Sequence, residues 1–134
     1  MSHKAEIYVD GASRGNPGPA GIGYIIKIGT QSYKHREYIG VATNNQAEYR
    51  ALITALEKAL QLGVKKAYVY SDSELLVKQV TGTYRIRNTT LSSLHRKLQQ
   101  LLPSFEEFKI KHVDREENRE ADRLANQAID EATP

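Results

Sequence analysis

The chain has 134 residues, a length typical of one compact domain, and it contains no cysteine. The lack of cysteine excludes disulfide bonds and thiolate catalysis, and no apolar run is long enough to span a membrane. The formal net charge of +3 is compatible with a polyanionic partner without identifying one. Because the N-terminus also lacks the apolar core of a signal peptide, we expect a cytoplasmic protein that forms one domain over residues 1–134.

Alternating apolar residues predict three strands in the first third of the chain, over residues 4–11, 20–28 and 32–41. A turn rich in glycine and proline, at residues 13–19, separates the first two strands. The pattern then becomes helical from about residue 44 to residue 62, where Gly63 ends it.

Helices and strands alternate in the remainder of the chain. The predicted elements are a buried strand at 67–71, a short helix that ends at Gly82, a helix at 89–102 that stops at Pro103, a strand at 105–113, and a last helix through 121–129. Three strands followed by such alternation indicate an α/β fold with a mixed sheet and helices on its faces.

Four carboxylates occur in four different settings along these elements. Asp10 ends a strand-like run, Glu48 lies in the first turns of the long helix, Asp72 follows a second strand, and Asp122 lies in the last helix. Carboxylates that gather in one place repel each other, so a fold that gathers them needs a cation. Hard oxygen ligands suit Mg²⁺ or Mn²⁺ and phosphate chemistry.

The first two carboxylates also have structural interpretations. Asp10 and Gly11 form a dipeptide that is common in turns. Glu48 stands three residues after Asn45, a spacing typical of a capping box at the start of a helix.

The other two carboxylates have equally plain alternatives. Asp72 is placed to cap the following helix, and Ser71 with Glu74 has the spacing of a capping box. Asp122 follows a run of charged residues at 114–120, which is typical of a solvated helix face. No single residue therefore decides between structure and chemistry.

The segments around the four carboxylates resemble those of ribonuclease H type 1. They cover residues 8–21, 43–48, 70–73 and 115–125, in the family's order and spacing and across nearly the whole chain. The resemblance implies the ribonuclease H-like fold, with a five-stranded mixed sheet in the order 3-2-1-4-5, its first three strands antiparallel, and helices on both faces. It would bring the four carboxylates together where the strand order reverses.

The resemblance also implies an activity, namely metal-dependent hydrolysis of the RNA strand of an RNA–DNA hybrid. Asp10, Glu48, Asp72 and Asp122 would hold two Mg²⁺ ions about 4 Å apart, with Mn²⁺ able to substitute, and the products would carry 5′-phosphate and 3′-hydroxyl ends. We expect a monomer whose partner is the hybrid, with no obligatory protein partner.

Substrate recognition in this family requires a reader of the ribose 2′-hydroxyl. By resemblance, the residues that contact the sugars or hold a phosphate of the DNA strand are Gly11, Ser13, Asn16, Thr43, Asn44 and Asn45.

The sequence departs from the family pattern in three places. Glu74 stands where many relatives have a glutamine that contacts bases, so we assign it no binding role. A loop histidine that assists catalysis in relatives would align with His112, which alternates with apolar residues and is therefore predicted to lie on the fifth strand. We favour Arg115 for the auxiliary catalytic role, as in compact members of the family.

The third departure is the absence of a longer basic protrusion, which some relatives use to grip the hybrid. Residues 82–90 take its place. The basic residues that remain are Lys78, Arg85 and Arg87, with a tyrosine, Tyr84, that could stack on substrate or cover the core. Fewer phosphate contacts predict weaker, more salt-sensitive binding. A binding module without catalysis and another nuclease of the same fold remain as alternatives.

Overall fold

The computed structural model describes residues 4–82, 85–86 and 88–133. The strands are β1 (Lys4–Ser13), β2 (Gly18–Ile28), β3 (Gln31–Ala42), β4 (Lys66–Ser71) and β5 (Glu107–His112). The helices are α1 (Asn44–Gln61), α2 (Glu74–Val80), α3 (Thr89–Leu101) and α4 (Arg119–Ala132). Tyr84 and Arg87, which the sequence singled out, lie outside the described residues.

The five strands form one sheet in the order β3-β2-β1-β4-β5. β1 pairs antiparallel with β2 and parallel with β4, and β4 pairs parallel with β5. The predicted strand order and the antiparallel start of the sheet are therefore confirmed, with β1 at the centre.

Helices cover both faces of the sheet, as predicted. On one face, the alternate residues Ile7 and Val9 of β1 are fully buried in a core that includes Leu52 and Leu56 of α1. On the other face, Ile25 of β2 packs against α4. Burying a leucine or isoleucine side chain contributes about 1.5–3 kcal/mol, so the core beneath α1 is the main source of stability.

A glycine of β2 allows α4 to lie directly on the sheet. A Cβ atom at Gly23 would lie 2.5 Å from the carbonyl oxygen of Ala121 in α4, closer than any side chain tolerates. Gly23 pairs with Asp10 across β1 and β2, so this close approach brings the first turn of α4 near Asp10.

Several predicted boundaries were wrong. β1 continues through Ser13, where it still pairs with β2, so the turn is shorter than residues 13–19. β5 is shorter than residues 105–113, because Phe105 ends a 3₁₀ turn at Leu102–Ser104 and Val113 lies beyond the strand. Among the described residues, no helix has the length and apolarity that a membrane crossing requires.

Candidate active site

Three carboxylates from three separate elements meet at one end of the central strands. Ligand oxygens of Asp10 on β1, Glu48 on α1 and Asp72 after β4 all lie within 4.8 Å of one another. Asp10 and Glu48 are each only 4% exposed. The site lies between β1 and β4, at the carboxyl end of that parallel pair, where the strand order of the sheet reverses.

Glu48 is held by the backbone of β1. The N–H of Gly11 donates to Glu48 Oε1 at 2.6 Å, and a Cβ atom at Gly11 would lie 2.2 Å from the backbone carbon of Ala47. Glycine is therefore required where α1 presses on the strand. Because Asp10 and Gly11 lie within β1, the interpretation of this dipeptide as a turn was wrong.

The helix cap of α1 does not involve the Glu48 carboxylate. Thr43 is the N-cap residue, and the capping box pairs it with Gln46, through bonds of 3.1 Å and 2.9 Å. The predicted box between Asn45 and Glu48 was therefore wrong, because the helix begins two residues earlier than that interpretation required.

Asp72 does not cap a helix either. Ser73 is the N-cap residue of α2, and its Oγ accepts from the N–H of Leu76 at 3.1 Å. The predictions that Asp72 caps this helix and that Ser71 and Glu74 form a capping box were therefore wrong. Glu74 instead forms an ion pair with Lys78 at 2.6 Å.

Asp122 joins the three carboxylates from α4. It lines the same cleft as Asp10 and helps to raise the pKa of that carboxyl group, and Nδ2 of Asn126 donates to Asp122 Oδ1 at 3.3 Å. The interpretation of Asp122 as part of a purely solvated helix face was wrong, because the first turn of α4 faces the cleft that contains Asp10.

Asn118 anchors this end of α4, and the sequence did not single it out. Its side-chain Nδ2 donates to the backbone carbonyl oxygen of Val9 at 2.8 Å, and its backbone carbonyl oxygen accepts from the N–H of Asp122 at 3.1 Å. Asn118 is 1% exposed, and its Oδ1 has no hydrogen-bond partner among the described residues. The available signal was an amide residue next to an amphipathic helix, which the charged run at 114–120 obscured.

The electrostatics of the cluster favour a bound proton or cation. Burial, followed by the charges of Glu48, Asp72 and Asp122, raises the pKa of Asp10 far above its ordinary value. Burial also raises the pKa of Glu48, although the hydrogen bond from Gly11 opposes this effect. Neighbouring carboxylates that repel each other when ionised are stabilised when a divalent cation neutralises their charge.

The carboxylates line an open cleft of about 420 Å³. Its lining residues are Asp10, Gly11, Ala12, Ser13, Asn44, Glu48, Asp72, Ser73, Arg115, Asp122 and Asn126. Arg115 thus shares the cleft with all four acids. His112 lies on β5, as predicted, where it pairs with Ser71 of β4, and it is not among the residues that line the cleft.

The residues predicted to contact substrate form one connected edge of the cleft. The N–H of Ser13 donates to Asn44 Oδ1 at 3.3 Å, and the N–H of Asn44 donates to Asn16 Oδ1 at 3.0 Å. Of the six predicted residues, Gly11, Ser13 and Asn44 line the cleft directly. The other three, Asn16, Thr43 and Asn45, lie beside them on the same two segments.

A buried glutamine, which the sequence did not single out, supports Asn45. Gln79 Oε1 accepts from Asn45 Nδ2 at 3.4 Å and from the hydroxyl of Tyr49 at 2.9 Å. Asn45 Oδ1 has no hydrogen-bond partner among the described residues. The bond to Gln79, which Tyr49 in turn holds, fixes the position of Asn45 at the start of α1.

Comparisons with known proteins point to one family. A family model described as "Reverse transcriptase-like" matches residues 8–128. Ribonuclease HI of Halobacterium salinarum is 43% identical over 131 residues, which cover 96% of this chain and 66% of that protein. Ribonuclease H of Chlorobium phaeobacteroides is 35% identical over 144 residues, covering 96% of this chain and 97% of that protein. The bifunctional protein Rv2228c of Mycobacterium tuberculosis is 42% identical over 132 residues, although the chain spans only 36% of its length.

Solved structures agree with the sequence comparisons. The RNase H1 of Halobacterium salinarum superposes with a TM-score of 0.92 at 42% identity, covering 96% of this chain and 98% of that one. LC11-RNase H1, whose structure was solved in complex with an RNA/DNA hybrid, superposes with a TM-score of 0.91 at 40% identity. That match covers 97% of this chain and 99% of the other.

Proposed function

Because the chain belongs to the ribonuclease H type 1 family, we propose that it is a metal-dependent endonuclease that cleaves the RNA strand of RNA–DNA hybrids. The observation that carries the proposal is the meeting of Asp10, Glu48 and Asp72 within 4.8 Å, in a cleft that Asp122 also lines. The hybrid complex of LC11-RNase H1 supports the choice of substrate. The chain acts as a single domain over residues 1–134, monomeric, cytoplasmic and without an obligatory protein partner.

The donor set fits hard divalent cations. All four candidate ligands are carboxylates, which suit Mg²⁺ or Mn²⁺, and burial with neighbouring carboxylates raises the pKa of Asp10, an effect that a bound cation would oppose. When bound, Mg²⁺ lowers the pKa of a coordinated water and neutralises charge on the scissile phosphate. We assign two Mg²⁺ ions to Asp10, Glu48, Asp72 and Asp122, with Mn²⁺ able to substitute.

The chain orients these ligands before substrate binds. Gly11 fixes the Glu48 carboxylate, and Asn118 and Asn126 fix Asp122. Water attacks the phosphorus in line with the 3′ oxygen, which departs, so the products carry 5′-phosphate and 3′-hydroxyl ends. Arg115, at the same cleft, offers a guanidinium group to a phosphate oxygen and fills the auxiliary catalytic role.

Recognition of RNA falls to the connected edge of the cleft. The backbone at Gly11 and Ser13, with the amide side chains of Asn44 and Asn45, offers donors and acceptors to the ribose 2′-hydroxyl. Thr43 and Asn16 hold a phosphate of the DNA strand.

The test is cleavage of an end-labelled RNA–DNA hybrid beside matched double-stranded RNA and DNA, in Mg²⁺, Mn²⁺ and EDTA. We expect metal-dependent cuts confined to the RNA strand of the hybrid and nearly absent in Asp10→Asn, which preserves shape and removes one charge. Activity of Asp10→Asn within about tenfold of wild type in Mg²⁺ would contradict the assignment, since loss of a metal ligand removes several kcal/mol of stabilisation. Binding without cleavage in either metal would instead indicate a recognition module.

A further inference from the structure

One exposed part of the sheet carries tyrosines and lysines on alternate residues of neighbouring strands. We name it the tyrosine–lysine face; it consists of Lys4, Glu6 and Tyr8 on β1, Lys27 on β2, Lys66, Tyr68 and Tyr70 on β4, and Glu107, Lys109 and Lys111 on β5. It is the face opposite α1, because its residues alternate with the buried Ile7, Val9 and Val69 of the core beneath α1.

The aromatic rings of this face are ordered by their neighbours. Tyr8 and Tyr70 lie opposite each other in adjacent strands and stack, with ring centroids 4.9 Å apart and an angle of 23° between the planes. The ammonium group of Lys27 lies 5.1 Å from the centre of the Tyr8 ring. Those of Lys4 and Lys109 lie 5.1 Å and 5.9 Å from that of Tyr68. Such cation–π contacts hold flexible lysines over a half-buried aromatic surface.

The charge of the face is positive. It carries five lysines and two glutamates. Glu107 is engaged by the Tyr68 hydroxyl at 2.6 Å and by Lys109 at 3.7 Å. Two further carboxylates border it, Glu117 and Glu120, which line one pocket with Tyr8 and Lys27, so the lysines still exceed the carboxylates by one. The surplus of ammonium groups makes the face complementary to a polyanion.

The face adjoins the catalytic cleft along β1 and β4. Tyr8 lies two residues before Asp10 on β1, and Tyr70 lies two residues before Asp72 at the end of β4. Strands rise by about 3.3 Å per residue, so from these tyrosines the face extends away from the cleft by about 15 Å. A strand that leaves one end of a hybrid held in the cleft can therefore reach it.

We propose that the tyrosine–lysine face binds single-stranded nucleic acid, which continues from the hybrid held in the cleft. Proteins that bind single strands without sequence preference combine a positive surface for phosphates with aromatic side chains for bases, and this face has both. The location of the hybrid rests on the proposed function, whereas binding of a single strand to the face is measurable without any cleavage.

The test is fluorescence anisotropy of a labelled oligothymidylate of about 20 nucleotides, titrated with the full chain in EDTA. The decisive variant is Lys109→Glu with Lys111→Glu, compared with Lys58→Glu and Lys97→Glu on α1 and α3, which make the same change in net charge on the other side of the sheet. We expect the face variant to bind about tenfold more weakly or worse. The slope of its affinity against salt concentration, on logarithmic axes, should fall by about 0.7 for each phosphate that the variant no longer neutralises. The matched variant should bind nearly as wild type.

A second variant tests the aromatic contribution without changing charge. Tyr68→Thr retains a side chain favoured in strands, and loss of base stacking is expected to weaken binding about fivefold or more. If reversal of both charges prevents folding, as judged by circular dichroism, Lys109→Gln with Lys111→Gln replaces it, with a smaller loss of affinity in the same direction.

The outcomes separate this proposal from the function of the cleft. Absence of single-strand binding at low salt, or equal weakening by the face variant and the matched variant, overturns the face alone, even if hybrid cleavage persists. Single-strand binding that depends on Lys109 and Lys111 supports the face, even if the protein fails to cleave the hybrid.

Discussion

The acidic residues of the cleft and those of the outer surface have opposite electrostatic environments. In the cleft, burial and like charges raise the pKa of Asp10 and of Glu48. On the surface, hydrogen bonds from Lys78, Lys34 and Arg36 lower the pKa of their glutamate partners Glu74, Glu120 and Glu131. The ionised carboxylate is therefore destabilised in the cleft and stabilised by ion pairs on the surface.

This difference shows that the carboxylate cluster is not arranged for stability. Exposed ion pairs contribute little, about 0–1 kcal/mol each, so the free energy of unfolding depends mainly on the core beneath α1. The fold holds an unfavourable cluster in place with glycine contacts and buried amides, and the divalent cation that we propose would reverse the penalty. Matched substitutions in the two regions test this comparison.

The largest contrast is expected between two acids that lie two residues apart. Asp72→Asn removes a proposed metal ligand and should lower the rate of hybrid cleavage by about a thousandfold or more, the equivalent of several kcal/mol. Glu74→Gln removes only a surface ion pair with Lys78 and should leave the rate near wild type. Single-turnover cleavage in Mg²⁺ measures both, and similar losses in the two variants would erase the distinction between cleft and surface.

Two asparagines at helix N-termini sharpen the comparison further. Asn118→Ala removes the bond that ties α4 to β1 beside Asp10, so we expect kcat to fall about 10–100-fold with KM little changed. Asn88→Ala removes an ordinary N-cap of α3, costing about 1 kcal/mol of stability and leaving kcat intact. Steady-state kinetics and urea unfolding of both variants check this. A loss of stability without a loss of kcat in Asn118→Ala would show that Asn118 only holds α4 against β1.

Arg115 and His112 form a third pair, one at the cleft and one at the end of β5. Arg115→Ala removes the charge-assisted hydrogen bond that we propose it makes to phosphate, so turnover should fall by about tenfold. His112→Ala should retain nearly full turnover. Multiple-turnover cleavage distinguishes them, and a large loss in His112→Ala with none in Arg115→Ala would reverse the assignment.

The smallest effect is on stability and has opposite signs in the two regions. Asp10 has an ordinary pKa of 3.8, which rises to about 10 in the folded protein. Folding therefore binds a proton more tightly, so the contribution of this group is complete below pH 3.8 and is lost as the pH rises toward 10. In EDTA at pH 8, Asp10→Asn should be more stable than wild type by about 1 kcal/mol or more, a rise in Tm of about 4 °C.

The control for this prediction is Glu131→Gln. Arg36 lowers the pKa of Glu131, so its contribution is present above the ordinary pKa and is lost as the pH falls. The Glu131→Gln protein should therefore be slightly less stable than wild type at pH 8. Thermal melts of both variants with and without Mg²⁺ provide the measurement. Two results would contradict electrostatic repulsion within the cluster. One is an Asp10→Asn protein that is no more stable than wild type in EDTA; the other is a rise in Tm on adding Mg²⁺ that is as large in Asp10→Asn as in wild type.

The sequence by itself determined the fold class, the strand order through its resemblance to a family, and the four acidic positions. Hydrophobic periodicity is a local property, and it located each helix and strand correctly to within a few residues. The spacing of capping residues gave the wrong N-cap where two neighbouring residues could each cap the same helix. Thr43 with Gln46 caps α1 instead of Asn45 with Glu48, and Ser73 caps α2 instead of Asp72.

The tertiary structure alone decided how the carboxylates are held and which polar residues support them. Asn118 and Gln79 bond to atoms that lie 109 and 34 residues away, the carbonyl of Val9 and the amide of Asn45. The tyrosine–lysine face likewise exists only because β4 lies between β1 and β5 in the sheet. Periodicity reports which residues are buried, whereas these contacts depend on the register between distant segments, and that register is set by how glycines and apolar side chains fit when the sheet and helices come together.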